Sequence, residues 1–515
     1  MEFSENNNNN QTWKKSLSLL YFLLAAFVIL LFATRSSFLY PCNDWNDANS
    51  YFSVGKALFN GKVPYRDVFD QKGMYLYFFY GLAYLVSHTT FKGVFILELL
   101  LAFADIWGIV RILQLYVKRS TSLALAPLAL AGTFSSHSFY YGGSAEEICL
   151  PFLIWGLYFS LRYFKKEYPE KAMKNSTLFF AGILAGVVAN IKFTVLGFFF
   201  AWMMCIVFSF LARKDFFGAV KSCLIFLGGM AVTFVPWVIY FAANHALYYW
   251  YWGYVYINVF AYSNLNTEGP GLYERIYILA KVLYWVILKN LNYFVFVIPG
   301  VIFELLCKGK GGKHRILPKF NIFSLSFFLF LGIYVGGSDL PYYALPLSVF
   351  AVFGLALLGK MIEWLIDRWF LRVRILPVAG CVLFLCISVG LVYATSMNTP
   401  LMEVKKEDHF LYKLKEVVDQ DRLQEPTLLN IGCLDAGLYT VCDIVPVCQW
   451  FQTQTVIMDT VLSEQERYIR EGQTDYVIAR DSCPDVIWEQ YDLAAQELWD
   501  ENDMTFTYYL FKKKH

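Results

Sequence analysis

The sequence predicts a polytopic α-helical membrane protein that ends in a small α/β domain. Of its 515 residues, 57% are hydrophobic and 16% are charged, whereas soluble globular proteins carry about 25% charged residues. The charges are also divided unevenly. Residues 396–515 hold 11 basic and 22 acidic residues, while residues 1–395 hold 32 basic and 19 acidic ones. A basic membrane body, residues 16–395, is therefore expected to precede an acidic, water-soluble domain, residues 396–515.

The membrane body contains eleven apolar runs of the length that spans a bilayer, which is about 20 residues. The first run follows Lys14-Lys15 and lacks a small-residue cleavage site, so it predicts an anchor and not a removable signal peptide. Residues 1–15 are expected to form a disordered cytoplasmic leader. The predicted spans are 16–40, 92–117, 121–136, 148–164, 177–191, 194–212, 217–242, 290–306, 320–336, 346–362 and 375–395.

Basic residues in the short loops predict the orientation, because such loops stay in the cytoplasm. Five basic loops fall on the same side as Lys14-Lys15, which places the N-terminus inside. An odd number of spans then places the C-terminal domain outside. The five loops are Lys118-Arg119, Lys165 to Lys174, Arg213-Lys214, Lys308 to Arg315 and Arg368 to Arg374.

Two further apolar stretches, 73–87 and 273–289, are rich in aromatic residues. Counting either one alone as a span would place basic loops on the wrong side of the membrane. Tyr and Trp are enriched at the headgroup boundary, so both stretches predict interfacial helices on the outer face.

Outer loop one, residues 41–91, carries most of the polar chemistry. A short helix is expected from Asp47, a residue type that caps helices, to the helix-stop pair Asn60-Gly61. On one interpretation Asp47 only caps this helix and the other charges are solvated. On the other, carboxylates converge beside cations, where a base can take a hydroxyl proton and cations can hold a phosphate. The candidates are Asp44, Asp47 and Asp70 with Arg66 and Lys72.

Two further candidates lie at later span ends. Glu146 and Glu147 stand at the start of the fourth span, where the helix dipole alone would favour acids, so they are either capping residues or supporting acids. Lys192 lies between two apolar runs, where an ionisable side chain is costly and indicates function unless it snorkels to the surface. With almost no loop around it, Lys192 is expected near the outer boundary, within reach of a lipid phosphate.

The C-terminal domain alternates apolar runs of strand length with charged helical stretches. The runs TLLNIGC, TDYVIAR and FTYYLFKKK predict three or four strands, and two charged stretches predict helices between them. The domain is expected to grip an acceptor or to support the membrane body. Its cysteines could form two disulfides in any of three pairings or remain small buried hydrophobes; they are Cys433, Cys442, Cys448 and Cys483.

Several classes of protein are disfavoured. The chain has no phosphate-binding G-x-x-x-x-G-K-[ST] loop and no H-E-x-x-H or paired C-x-x-C motif, which disfavours nucleotide hydrolysis and zinc proteolysis. The few charges within the spans form no proton relay, and the two halves show no inverted repeat, which weakens the interpretation as a transporter.

The order of these motifs is informative. A long first outer loop has an early Asp and then GKVPYRDVFDQKG, Glu-Glu follows in the second outer loop, and a Lys follows a Gly/Ala-rich span. Over residues 16–395 this order resembles the GT-C glycosyltransferases, specifically the bacterial relatives of protein mannosyltransferases and lipid A aminoarabinose transferases. The resemblance implies an inverting transfer of sugar from a polyprenyl-phosphate donor on the outer face of the bacterial plasma membrane.

The resemblance also implies roles for residues. Asp47 would be the general base on the acceptor hydroxyl, with Asp44 ranked second, and Asp70 would orient the base or the cations. Lys192 would bind the donor phosphate, with Lys72 and Arg66 as further cations. Some relatives use a divalent cation and others none, and the four acids of loop one, Asp44, Asp47, Asp67 and Asp70, could ligate one. No other cofactor is expected.

The implied partners are the polyprenyl-phosphate sugar, membrane lipid, and a cell-surface glycan, teichoic-type polymer or lipid acceptor, with no nucleic acid. Two other functions remain open. One is a transporter or flippase of lipid-linked glycans that performs no covalent chemistry. The other is a glycan polymerase or ligase that uses a pyrophosphate-linked donor.

Overall fold

A computed structural model describes residues 2–261, 271–307, 316–337, 339–369, 376–455, 458–501 and 504–514. By packing, the chain forms two compact units, each built from three separate segments. The first, here called the helical unit, comprises Met1–Thr34, Glu98–Val235 and Pro270–Thr399. The second, here called the mixed unit, comprises Arg35–Leu97, Pro236–Gly269 and Pro400–His515. Loop one and the C-terminal domain therefore share one unit, although the sequence separates them by some 300 residues.

Most of the chain is helical. The helices before residue 400 are α1 (Glu2–Ala33), α2 (Asn46–Phe59), α3 (Met74–Val86), α4 (Lys92–Leu113), α5 (Arg119–Phe134), α6 (Ala145–Lys166), α7 (Asn175–Ala189), α8 (Gly197–Leu211), α9 (Phe216–Ala243), α10 (Leu247–Trp250), α11 (Leu272–Lys289), α12 (Leu291–Leu306), α13 (Ile316–Tyr334), α14 (Ala351–Trp369) and α15 (Leu376–Thr395). Side chains are described from residue 16 onward, so the disordered leader over residues 1–15 stays a prediction.

Seven helical segments among the described residues are long and apolar enough to cross a membrane, and an eighth is counted if the bent pair α11–α12 forms one span. The protein is thus a multi-pass membrane protein. The seven are Ser16–Ala33, Lys92–Leu113, Phe193–Leu211, Phe216–Ala243, Ile316–Tyr334, Pro341–Trp369 and Pro377–Thr395.

Four of the eleven predicted spans, which correspond to α5, α6, α7 and α12, are not among these seven, and α12 is included if the bent pair counts as one span. Helices α5 and α7 have 16 and 15 residues, and at about 1.5 Å per residue each is shorter than a hydrocarbon core of about 30 Å. Helix α6 has 22 residues but carries acids in its first turn and lysines in its last. Both predicted interfacial stretches are helical, as α3 and α11, and the chain turns by 114° between α11 and α12. The predicted basic cluster Lys308 to Arg315 lies outside the described residues.

Helices of the helical unit approach closely where glycines face each other. A Cβ added to Gly300 of α12 would lie 2.1 Å from the backbone nitrogen of Gly354 in α14. A Cβ added to Gly354 would lie 2.1 Å from the carbonyl oxygen of Phe296. Small residues at such crossings let backbones meet, which is how helices associate in lipid, where no hydrophobic effect drives them together.

The C-terminal part of the mixed unit contains a four-stranded sheet of order β1-β2-β4-β3. Strands β1 (Leu428–Ile431) and β2 (Tyr476–Arg480) are parallel, while β4 (Met504–Lys513) is antiparallel to both β2 and β3 (Tyr491–Glu501). The predicted three or four strands are therefore confirmed. The same part of the chain contains helices α16 (Phe410–Gln420), α17 (Leu438–Val441), α18 (Asp459–Arg470) and α19 (Ile487–Gln490).

Every cysteine is a free thiol, and Cys433 and Cys448 are buried.

The C-terminal part also packs on α2, the helix of loop one. Four polar residues at spacing i, i+1, i+4 and i+7 lie on one face of α2, as expected for a helical stripe. Each forms a hydrogen bond with the C-terminal part: Asn49 with Thr440 at 2.8 Å, Ser50 with Gln452 at 2.7 Å, Ser53 with Asp435 at 2.5 Å and Lys56 with the Tyr439 carbonyl at 2.9 Å. These four side chains of α2 are all buried. The interface therefore fixes the rotation of α2 about its axis and its position along that axis.

The Asp435 carboxyl in this interface predicts a pH dependence of stability. Burial raises its pKa from 3.8 to about 6, so the folded state holds a proton that the unfolded state releases near pH 4. The stability due to Asp435 is complete below about pH 4 and is lost as the pH rises through about 6, by about 3 kcal/mol in all. We expect the melting temperature of Asp435→Asn to rise relative to that of the wild type as the pH increases from 5 to 7.5. A difference independent of pH would contradict the raised pKa.

Candidate functional site

Asp47 lies in the first turn of α2, and its side chain does not cap that helix. The N-cap position is Trp45, and no side chain forms a cap hydrogen bond there. The Asp47 side chain is buried, with 9% of the residue exposed, and the Tyr51 hydroxyl one turn later donates to its Oδ2 at 3.4 Å. The helix thus begins one residue before the predicted start, and it ends at Phe59 before Asn60-Gly61, as predicted. Capping does not explain this carboxylate.

Asp70 lies in the same cluster and is more deeply buried. The Tyr77 hydroxyl of α3 donates to Asp70 Oδ2 at 2.7 Å and accepts the backbone N–H of Lys72 at 2.8 Å. Burial raises the pKa of Asp70; the Lys72 charge and the Tyr77 hydroxyl oppose the rise, and the Asp47 charge adds to it. Two carboxylates and one ammonium group therefore influence one another within loop one.

A tight turn between α2 and α3 positions this cluster. Tyr65 has a positive φ of 67°, and its hydroxyl donates to the Lys72 carbonyl at 2.5 Å. Asp67 accepts the backbone N–H of Val63 at 2.8 Å and forms a two-pronged ion pair with Arg66, at 2.7 and 3.0 Å. Arg66 thus pairs with Asp67 and not with Asp70, the acid it was predicted to accompany.

Asp44 is held by a separate set of partners in the mixed unit. Arg35 Nη1 lies 2.5 Å from its Oδ1, and Trp499 Nε1 donates to its Oδ2 at 3.0 Å. His409 Nε2 lies 3.6 Å from the same Oδ2. Burial raises the pKa of Asp44, but Arg35 and His409 lower it by more, so that it stays well below its usual range. This carboxylate is a fixed charge that ties loop one to the C-terminal strands, which makes it a poor base.

The paired acids of α6 have different partners in the helical unit. Ser144 accepts the backbone N–H of Glu147 at 3.0 Å, and the Glu147 carboxylate accepts the Gly143 N–H at 2.7 Å. This arrangement is close to a capping box, in which a side chain satisfies free N–H groups at a helix start. Glu146 instead forms a buried ion pair with Lys192 through its Oε1. Capping therefore accounts for Glu147 but not for Glu146.

Lys192 lies against an aromatic wall. Its Nζ is 3.6 Å from the centroid of the Tyr343 ring and 5.4 Å from that of Tyr342. The second oxygen of Glu146, Oε2, is buried without a hydrogen-bond partner among the described residues. Lys192 is thus a buried cation that pairs with a carboxylate and faces two aromatic rings.

Two solved structures resemble this chain over nearly its whole length. No family model and no curated protein matches the chain. The crystal structure of ArnT from Cupriavidus metallidurans bound to undecaprenyl phosphate has a TM-score of 0.55 and 14% identity, covering 97% of this chain and 98% of that one. The apo structure of the same ArnT has a TM-score of 0.56 and 13% identity, covering 96% and 98%. The protein has a GT-C fold.

Within this GT-C fold, the structure sorts the predicted residues into groups. In the mixed unit the charges of Asp47 and Lys72 lie near enough to Asp70 to affect its pKa, while Arg66 and Asp44 have other partners. In the helical unit the structure pairs Lys192 with Glu146. The sequence did not indicate Tyr77 or Arg35 as residues that orient these groups. Among the described residues, no group of three His, Cys, Asp or Glu side chains could hold a metal ion.

Proposed function

We propose that the protein is an inverting glycosyltransferase that moves a sugar from a polyprenyl-phosphate donor to a cell-surface glycan, teichoic-type polymer or lipid. One observation carries the proposal: the buried pair Asp47 and Asp70, with Lys72 beside it, lies in the first long loop of a chain with the ArnT fold. The crystal structure of that relative is bound to undecaprenyl phosphate, which supports a polyprenyl phosphate here.

In the proposed reaction Asp47 accepts the proton of an acceptor hydroxyl as that oxygen forms its bond to the anomeric carbon of the sugar. The bond from this carbon to the phosphate oxygen breaks on the opposite face, so the configuration inverts. Polyprenyl phosphate leaves with the bonding electrons. Because negative charge grows on the phosphate, a positioned cation lowers the barrier, and Lys72 and Lys192 are the proposed cations.

The contacts of each group fit its proposed role. Asp70 would orient Lys72 through the Tyr77 hydroxyl, which contacts both residues. Glu146 would hold the Lys192 ammonium in place in the absence of the donor phosphate. Glu147 would cap the start of α6, and Arg66 and Asp44 would be structural residues. We place the loop, the site and the C-terminal domain on the outer face of a bacterial plasma membrane, in line with the basic loops.

The decisive experiment follows the lipid product. Purified full-length protein is incubated with a radiolabelled polyprenyl-phosphate sugar and a membrane extract as acceptor source, and the released lipid is separated by thin-layer chromatography. We expect polyprenyl monophosphate to appear together with labelled acceptor. If the donor stays intact after incubation with the membrane extract, the transporter function is favoured. If only a pyrophosphate-linked donor reacts, a polymerase or ligase is the better function. The same reaction with EDTA decides whether a divalent cation is needed.

A further inference from the structure

The mixed unit contains a cavity lined by both polar and apolar side chains. None of the residues discussed above as base or donor site lines it. Its volume is about 370 Å³, within the range of small-molecule sites and sufficient for a headgroup the size of a sugar or glycerol phosphate. Three stretches form its wall: residues 35–43 after α1, residues 89–92 at the start of α4, and parts of the C-terminal segment at 404–412 and 440–441.

The charges that line the cavity are all positive. Arg35, Lys92 and Lys406 contribute to the wall, and no lining residue is an Asp or Glu. Arg35 forms an ion pair with Asp44, which does not line the cavity. Lys92 and Lys406 form no ion pair among the described residues, and both are exposed at the rim. The Tyr412 ring lies 4.4 Å from Lys406 Nζ and holds that ammonium group at the opening. The cavity therefore has the charge of an anion site.

Hydroxyl and amide groups line the deeper part. Ser36, Ser37 and Asn43 are almost completely buried, with 3%, 3% and 1% exposed. Thr89 and Thr90 add hydroxyl groups at the start of α4. Asn43 Nδ2 donates to Ser36 Oγ at 3.4 Å, and the Leu39 N–H donates to Ser37 Oγ at 3.4 Å. A hydroxyl oxygen has two lone pairs and can accept a second hydrogen bond, so this side of the wall matches the hydroxyls of a polyol.

We propose that this cavity binds a phosphate-bearing polyol headgroup, and that such a molecule is the acceptor of the proposed transfer. The phosphate would lie at the lysine rim and the polyol hydroxyls against the Ser36, Ser37 and Asn43 side. Two stretches of the cavity wall are next to membrane-spanning candidates. Arg35 lies two residues after the end of α1, and Lys92 is the first residue of α4. Helices α1 and α4 are both long enough to span a membrane. This position suits either an anionic lipid headgroup or the repeating unit of a phosphate-linked polymer. The acceptor role depends on the proposed function, whereas the binding site does not.

Binding of defined probes to the full-length protein tests the site without any donor. The probes are sn-glycerol 3-phosphate, dihexanoyl phosphatidylglycerol as a short lipid with the same headgroup chemistry, and glycerol as the neutral polyol, each titrated calorimetrically. We expect both phosphates to bind and glycerol to bind at least tenfold more weakly. Affinity equal for the soluble phosphate and the lipid indicates a polymer unit, whereas a lipid preference of tenfold or more indicates a membrane lipid.

Lysine variants identify the location. We expect Lys92→Gln and Lys406→Gln each to weaken phosphate binding about fivefold and the double variant about 20-fold, with a smaller effect at high salt because exposed charges are screened. Lys405→Gln removes the neighbouring exposed charge outside the cavity and should change affinity less than twofold. No phosphate binding, or a double variant that binds like the wild type, would overturn the site. Intact binding without lipid release in the assay above would instead refute the transferase proposal.

Discussion

Replacing Asp47 with Asn is expected to lower the rate of polyprenyl phosphate release by about 10²- to 10⁴-fold, the usual contribution of a general base. Asparagine keeps the size of the side chain and can still accept the Tyr51 hydroxyl, but it cannot take up a proton at neutral pH. The protein should therefore express and fold normally. The measurement is the initial rate of lipid release under single-turnover conditions, which excludes effects on product dissociation.

Two companion variants sharpen this result. Asp459→Asn makes the same change in the first turn of α18, where the side chain is exposed, and should leave the rate unchanged. Asp70→Asn removes the other buried carboxylate of the cluster. If Asp47→Asn retains full turnover while Asp70→Asn abolishes it, the base is Asp70, whose pKa is already raised by burial. If both variants retain full turnover, the chemistry lies elsewhere.

Features set by neighbouring residues were predictable from the sequence. The pair Asn60-Gly61 ends α2 because Gly61 adopts a positive φ of 80°, a conformation that glycine reaches without strain. The capping alternative for Glu147 follows from Ser144 three residues earlier. The strands of the C-terminal domain were evident from their apolar runs. In each case the physical cause lies within a few residues of the feature.

Features set by distant residues were not predictable. The Asp44 carboxylate meets Trp499 across 455 positions of sequence, and Lys192 meets Glu146 across 46. No local pattern assigns such partners, because they depend on how the helices and strands pack. The eleven predicted spans compare with seven or eight helical segments that are long and apolar enough to cross a membrane among the described residues. Apolar composition identifies a helix that can be buried, but only length and path decide whether that helix crosses the bilayer.

One signal could have been used earlier. The residues Asn49, Ser50, Ser53 and Lys56 form a polar stripe at helical spacing on α2, opposite the apolar Leu58. A stripe of this kind indicates either solvent or a buried polar interface. Only the structure distinguishes the two, since it places Lys56 with no exposed surface at all. The C-terminal domain thus has a supporting role for the helix that carries Asp47.

Replacing Lys56 with Ala is expected to lower the melting temperature of the mixed unit by about 10 °C or more. The Lys56 Nζ lies 5.7 Å from the centroid of the Phe52 ring, donates to the Tyr439 carbonyl at 2.9 Å and lies 3.1 Å from Asp443. Truncation leaves a cavity and an unpaired buried carbonyl, which together cost about 4 kcal/mol, and about 1 kcal/mol shifts the midpoint of a unit of this size by roughly 2–4 °C.

The melting temperature is read with a thiol-reactive fluorophore after the exposed thiols Cys307 and Cys386 are replaced by Ser. The remaining signal includes the buried thiols Cys433 and Cys448 of the mixed unit and Cys149 and Cys205 of the helical unit. Lys56→Met keeps most of the side-chain volume, so it should lose only the polar part, about 1–2 kcal/mol, because Asp443 is half-exposed and can be rehydrated. Lys413→Ala removes an exposed lysine paired with Glu497 at 3.1 Å and should change the midpoint by less than about 3 °C. If Lys56→Ala melts like Lys413→Ala, the interface with the C-terminal domain does not stabilise α2. If it melts early and also slows lipid release, the domain positions the base.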